Sequence, residues 1–326
     1  MRILVTGGAG YVGSACLRHL VSQGHHAVAY DNLVQGHRPA VGDAPLIEGD
    51  IADTKKLAGA LQEARVDAVM HFAAATNVGE SVGRPEYHYG NNVCGTLSLL
   101  EAMRAAGVKR MLFSSTCATY GDAPKVPMAE TAPQDPCSPY ARTKLAVEWM
   151  IRDFAHAHGM GFTLLRYFNA AGASPDGHHG EHHDPETHLI PIVLQTLLGQ
   201  RERLQVFGND YPTPDGTCIR DYVHTDDLAS AHLLAIENTD ASTAEVFNIG
   251  TGSGHSVMEI IESCERVTGQ QVPWELAPRR PGDPPALVAE PVKLKSQLGW
   301  RPKYAIDETI ATAWEWHKSH PHGYRA

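Results

Sequence analysis

The chain has 326 residues, 43% of them hydrophobic, and its 37 acidic against 27 basic residues give a formal charge of −10. That length suits about two domains, and the acidic balance offers no basic footprint for nucleic acid or an anionic membrane. No apolar run approaches the roughly 20 residues of a membrane-spanning helix, and Met1–Thr6 runs straight into glycines, so no secretory leader is expected. The cysteines at 16, 94, 117, 137, 218 and 264 form no CxxC pair, which points to reduced thiols in the cytoplasm.

In chain order, short apolar runs at Ile3–Thr6, Ala27–Tyr30, Leu46–Glu48, Ala68–Phe72, Met111–Ser114 and Thr163–Arg166 alternate with stretches of helix length such as Asp53–Ala64 and Asn91–Ala106. Runs of that length without polar alternation suit parallel strands covered on both faces. The alternation predicts a doubly wound α/β sheet. After Asn169 the texture changes: Gly172–Pro185 is expected as a loop, followed by a helix near Leu189–Leu198 and a loop at Gly208–Gly216. A helix near Thr225–Ile236, a strand at Val246–Ile249 and a helix from Ser256 come next. Pro278, Pro281, Pro284 and Pro285 make Ala277–Pro285 a constrained loop. Residues 1–170 are expected to form a cofactor domain and 171–326 a smaller mixed α/β substrate domain, with segment 217–250 returning to the first.

Two constellations carry chemistry. Thr6-Gly7-Gly8-Ala9-Gly10-Tyr11-Val12-Gly13 follows the first strand and opens a helix. Glycines there let the backbone turn tightly and approach a pyrophosphate, which the helix N-terminus then meets with N–H groups. Asp31, at the end of the second strand, can accept from an adenosine ribose and would repel a 2′-phosphate, favouring NAD over NADP. The second is Tyr140 and Lys144, four apart behind Pro139 and on one helical face that continues through Val147, Ile151 and Phe154. An ammonium close to a phenol favours phenolate and would bring it down toward the range of a general base. Thr116 ends the fifth strand, where ligands of open α/β sheets bind.

The glycine loop, Phe113-Ser114-Ser115-Thr116, Tyr120-Gly121 and Tyr140-x-x-x-Lys144 together resemble the extended short-chain dehydrogenase/reductases and, within them, the nucleotide-sugar 4-epimerases. The likeness runs from end to end, through Asn91-Asn92-Val93, Arg166-Tyr167-Phe168-Asn169, Arg220-Asp221-Tyr222-Val223-His224, Ala277-Pro278-Arg279-Arg280 and the closing His320–Tyr324. It implies a Rossmann fold, bound NAD, a UDP-sugar as partner and a homodimer packed through Asn91–Ala106 and Tyr140–His158. The implied reaction interconverts UDP-glucose and UDP-galactose through a 4-keto sugar, with another UDP-sugar as the alternative. Tyr140 is the implied base, Thr116 relays the O4 proton and Lys144 holds the nicotinamide ribose. Gly7, Gly10, Tyr11, Val12, Gly13, Asp31, Asn32, Asp50, Ile51, Phe72, Ala73, Ala74, Asn91 and Phe168 would line the NAD site. Asn169, His188, Leu189, Phe207, Arg220, Arg280, Asp283 and Leu287 would face the UDP-sugar, the two arginines matching its diphosphate. Leu287, where relatives carry Tyr, Cys or Ser, leaves substrate breadth open. In the 4,6-dehydratases an Asp-Glu pair follows the threonine, whereas Cys117-Ala118 follow Thr116.

One cluster stays outside this scheme. His178-His179-Gly180-Glu181-His182-His183-Asp184 lacks the fixed spacing of a zinc motif, so it is expected as a solvated loop near the substrate entrance, with no metal.

Overall fold

The computed structural model describes residues 1–123, 125–280 and 283–324. Pro281 and Gly282 of the proline-rich segment therefore lie outside the described residues. Thirteen strands are found among them: β1 (Arg2–Thr6), β2 (His26–Asp31), β3 (Leu46–Glu48), β4 (Ala68–His71), β5 (Arg110–Thr116), β6 (Gly161–Tyr167), β7 (Asn169–Ala171), β8 (Leu204–Phe207), β9 (Ile219–His224), β10 (Ala244–Ile249), β11 (Gly254–Ser256), β12 (Trp274–Ala277) and β13 (Ala286–Leu287).

Seven of these form one parallel sheet in the order β10-β6-β5-β4-β1-β2-β3. Its central strands are apolar and buried almost throughout, as strands covered on both faces must be. One face packs Leu17 and Leu20 of the helix Tyr11–Ser22 and Ala231 and Ile236 of the helix Thr225–Glu237. The other packs Leu57, Leu99, Met103, Val147 and Ile151 from the helices Thr54–Glu63, Gly95–Ala106 and Pro139–His158. The strand order reverses between β1 and β4, which opens a crevice at the carboxyl ends of those strands.

One residue after β6 the chain leaves this sheet. β7 pairs with β9, which also takes β11 antiparallel and β13 parallel, giving a four-stranded sheet. β8 and β12 form a separate parallel pair. A third core gathers Ile190 and Leu194, Ile260 and Cys264, and Ile310 and Trp314 from the helices Leu189–Leu197, Val257–Thr268 and Ile306–Ser319. The helix Thr225–Glu237 packs on the helix Tyr11–Ser22, and β10 extends the large sheet beside β6, so part of the later chain lies against the first half.

The stretch Asn91–Ala106 is not one regular helix. Tyr89–Cys94 forms a widened π-type turn before the α-helix begins at Gly95. There Asn92 accepts from the Ala75 N–H (2.7 Å) and donates to the Ala75 carbonyl (3.0 Å) and Thr143 Oγ1 (2.9 Å). The extra residue in the turn leaves Asn92 inside and Asn91 on the crevice side.

Candidate functional site

The crevice is a cavity of about 1900 Å³ that runs from the glycine loop to the small sheet. At one end, Gly7 sits at φ +72°, and a Cβ there would come within 2.5 Å of Ala73 N. A Cβ on Gly13 would meet the Gly7 carbonyl at 2.1 Å. Gly10 differs, because a Cβ would meet only Gly7 O, at 3.4 Å, and the space beyond is cavity. No side chain caps the helix Tyr11–Ser22, so its first amides are available to an anion. Asp31 accepts from Ala9 N–H at Oδ2 (3.0 Å) and Leu33 N–H at Oδ1 (2.8 Å), and it lines the cavity beside Gly36. An uncapped amide cradle with an acid one strand away is what a dinucleotide requires, and these residues fit NAD.

At the carboxyl end of β5, Thr116 and Tyr140 share the same wall. Ser138 caps the helix Pro139–His158 by accepting from Ala141 N–H (3.2 Å), with Pro139 in the first turn, which sets Tyr140 at its mouth. Burial pushes the phenol pKa up, the Tyr167 hydroxyl adds to this, and hydrogen bonding to Thr116 opposes it. The expectation that Lys144 would hold the phenol down is not met by the protein alone. Lys144 is 2% exposed, donates to the Ser114 carbonyl at 2.9 Å and lies 4.8 Å from the centre of the Phe113 ring. Burial lowers its pKa to about 7, against the pull of Glu148. A positive charge brought nearer the phenol would favour phenolate.

Of the other expected residues, Tyr11, Val12, Asn32, Ile51, Phe72, Ala73, Ala74, Asn91 and Phe168 line the cavity, as do Asn169, His188, Leu189, Phe207, Arg220, Arg280, Asp283 and Leu287. Asp50 and Lys144 do not. Asp50 is exposed, accepting from Asn32 Nδ2 (3.0 Å) and Ala52 N–H (2.8 Å). Arg220 donates to Asp283 Oδ1 at 2.7 Å and to the Ile219 carbonyl at 2.8 Å. Arg280 is exposed, with its guanidinium 4.0 Å from the Phe207 ring centre. Cys117 is no nucleophile, since burial raises its thiol pKa to about 12.

The histidine-rich loop is packed rather than solvated. His179 and Glu181 are 1% and 5% exposed, and His179 stacks on Tyr11 with ring centres 5.5 Å apart. A Cβ on Gly180 would overlap Trp316, and the Tyr324 hydroxyl bonds Gly180 N–H and C=O at 3.1 and 3.2 Å, so the C-terminal segment closes over this loop. His188, expected against the nucleotide, has its Nδ1 at 2.9 Å from carboxylate oxygens of both Glu181 and Glu186. Burial lowers His183 and His188, but these carboxylates outweigh it, raising His183 to about 9 and His188 as well.

Sequence reasoning missed the residues behind the wall: Ser114 under Lys144, and the buried Glu148 and Arg166. Arg166 meets Glu148 through Nε (2.9 Å) and a terminal nitrogen (2.5 Å), Ser115 donates to Glu148 at 2.5 Å, and Arg166 also donates to the Tyr120 hydroxyl at 2.9 Å. The readable signal was Arg166 as the single charge in the strand Gly161–Tyr167, and Glu148 one turn after Lys144 beside the apolar stripe of Val147, Ile151 and Phe154.

With this geometry established, known proteins supply the family. The model of the NAD dependent epimerase/dehydratase family matches residues 3–250. The chain belongs to that family. A UDP-glucose 4-epimerase of Halalkalibacterium halodurans is 51% identical over 99% of this chain and 98% of that protein. Among solved structures, UDP-glucose 4-epimerase from Brucella ovis in complex with NAD is similar at TM-score 0.93 and 48% identity, covering 96% of this chain and 97% of that one. The enzyme from Bifidobacterium longum in complex with NAD+ and UDP has TM-score 0.95 and 36% identity, covering 99% and 100%. The parallel sheet and its flanking helices are thus the Rossmann-like fold that those epimerases share.

Proposed function

We propose that this chain is an NAD-dependent enzyme interconverting UDP-glucose and UDP-galactose by inverting C4. The observation that carries this is the meeting, in one cavity, of an uncapped glycine loop with Asp31 at one end, Thr116 and Tyr140 in the middle and Arg220 with Asp283 at the other. NAD bound along the loop supplies a redox couple that accepts the C4 hydride and returns it, so the cycle has no net oxidation.

The chain's own residues handle binding and the proton. Tyr140 takes the O4 proton and gives it back, and Thr116, on the same cavity wall, orients O4 and relays that proton. Lys144 lies just behind this wall on Ser114 and Phe113, and turning its amine from the Ser114 carbonyl toward the cavity would bring it to the nicotinamide ribose. Arg220 is positioned for the diphosphate, exchanging part of its Asp283 contact for phosphate oxygens. Residues 1–170, with the helix Thr225–Glu237 and β10, hold the dinucleotide, and the small sheet and its helices cap the UDP-sugar. Two further parts of the reading are a homodimer and a cytoplasmic location. The first is supported by Trp149 and Leu97, exposed at 59% and 39% on the helices Pro139–His158 and Gly95–Ala106, and the second by six free cysteines.

The test is direct. Purified chain given UDP-galactose should yield UDP-glucose without added NAD, and Tyr140→Phe should lower turnover by roughly 10²–10⁴-fold while keeping bound NAD. Failure to form UDP-glucose even with NAD added would overturn the activity, and a fully active Tyr140→Phe would overturn the base.

A further inference from the structure

Beside the nucleotide cavity, Glu181, His183, Glu186 and His188 bring two carboxylates and two imidazoles together, with one candidate ligand atom from each lying within 4.8 Å of all the others. The closest approaches are tighter. His188 Nδ1 is 2.9 Å from Oε1 of both Glu181 and Glu186, and His183 Nδ1 is 3.4 Å from Glu181 Oε1 and from Glu186 Oε2. A four-coordinate zinc ion with nitrogen and oxygen ligands at 2.0–2.2 Å sets neighbouring ligand atoms about 3.3 Å apart. The closest approaches, 2.9 and 3.4 Å, bracket that spacing, and the widest separation of up to 4.8 Å would close on an ion by small side-chain rotations.

A second observation points to a ligand. The Glu186 side chain is 2% exposed, and its Oε2 has no hydrogen-bond partner although it faces His183 Nδ1, itself also without one. A buried carboxylate oxygen whose one charged neighbour, His183 Nδ1 at 3.4 Å, lies beyond a good hydrogen bond is poorly satisfied, and a cation at the centre would satisfy it. The surroundings fix the donors. Thr187 and His188 N–H groups donate to Glu186 Oε1 at 2.8 and 2.9 Å, leaving Oε2 turned inward.

We propose that Glu181, His183, Glu186 and His188 form a binding site for a divalent transition-metal ion of the zinc type. Two carboxylates, two neutral imidazoles and one dication sum to zero charge, which suits a largely buried position. The ion would pin the loop 172–188 to the start of the helix Leu189–Leu197. That loop also carries His179, stacked on Tyr11 at the glycine loop, and His183 meets the same Tyr11 ring edge-on at 6.3 Å. The site is therefore a staple over the dinucleotide end and takes no part in the proton chemistry at Tyr140. It departs from the expectation of a metal-free loop, and it stands whether or not the proposed activity does.

The competing account is two imidazolium–carboxylate pairs with no metal. The full-length chain without an affinity tag, carrying its cofactor, is stripped with chelator and dialysed against buffered Zn²⁺, and bound metal is counted. About one zinc per chain is expected, and Co²⁺ in its place should give the visible absorption of four-coordinate cobalt. Glu186→Gln and His188→Asn should each lose both signals. His188 is exposed enough (49% of its side chain) for the second variant to fold, which circular dichroism checks. Equal metal uptake by the wild-type chain and His188→Asn, or cobalt that keeps the spectrum of the hydrated ion, would overturn the site.

Discussion

At the scale of single residues, burial of Lys144 decides more than its charge. A lysine placed four residues after a tyrosine looks like an electrostatic partner, yet in the folded chain its amine is drawn inward to a carbonyl and an aromatic face. Its pKa falls to about 7 from an ordinary 10.5. The folded state binds this proton less tightly than the unfolded state does, so between those two values the unfolded chain carries the extra proton and stability rises with pH. Below about 7 both states are protonated and the full cost of the buried charge is present. Denaturant unfolding of the cofactor-stripped chain at pH 7.5 and 9.5 should show this rise, at most about 1.4 kcal/mol per pH unit. Lys144→Met should remove that component, and an unchanged slope in the variant would refute the assignment.

At the scale of elements, the helix Pro139–His158 must hold Tyr140 within reach of Thr116, and the buried network beneath it does this. Glu148 on the helix is tied to Ser115 on β5 and Arg166 on β6, and Arg166 continues through the Tyr120 hydroxyl to Asn248 on β10 (2.7 Å). Four elements are thereby joined through one ion pair whose partners are 1% and 2% exposed. Removing one partner leaves the other charge buried and unpaired, which costs about 3–5 kcal/mol. Glu148→Ala should therefore lose about that much unfolding free energy in denaturant titration and, by loosening the helix, lower turnover as well. A loss below about 1 kcal/mol would show that the network is better hydrated than its burial implies.

At the scale of the whole molecule, the reversal of strand order between β1 and β4 creates the crevice, and the departure of β7 from the large sheet builds its far wall. Asn169, at that point of departure, lines the cavity because the chain changes sheets there. The exposed Trp149 and Leu97 sit on the opposite side of the helices that back the sheet, and an isolated chain gives no reason for a 59% exposed tryptophan. If two copies meet there, Trp149→Glu should shift the chain from dimer to monomer in light scattering coupled to size exclusion. A wild-type chain that is already monomeric at tens of micromolar would refute the interface.

The sequence by itself determined the parallel sheet, the glycine loop with Asp31, the Thr116, Tyr140 and Lys144 set and the family likeness. These are local signals: strand-length apolar runs, glycines at fixed spacing and two side chains on one helical face. Several matters belonged to the tertiary structure alone. The strands β7, β8, β11, β12 and β13 are two to four residues long, too short for any period to mark them, and exist because β9 pairs with β7, β11 and β13 while β8 and β12 pair with each other. Whether Lys144 faces the phenol or a carbonyl is a question of burial, which no spacing encodes. Nor could spacing tell a solvated histidine loop from one closed under Trp316 and Tyr324, because the residues that close it lie more than a hundred positions away in the chain. Glu181, His183, Glu186 and His188 meet within the same loop, beneath that distant segment.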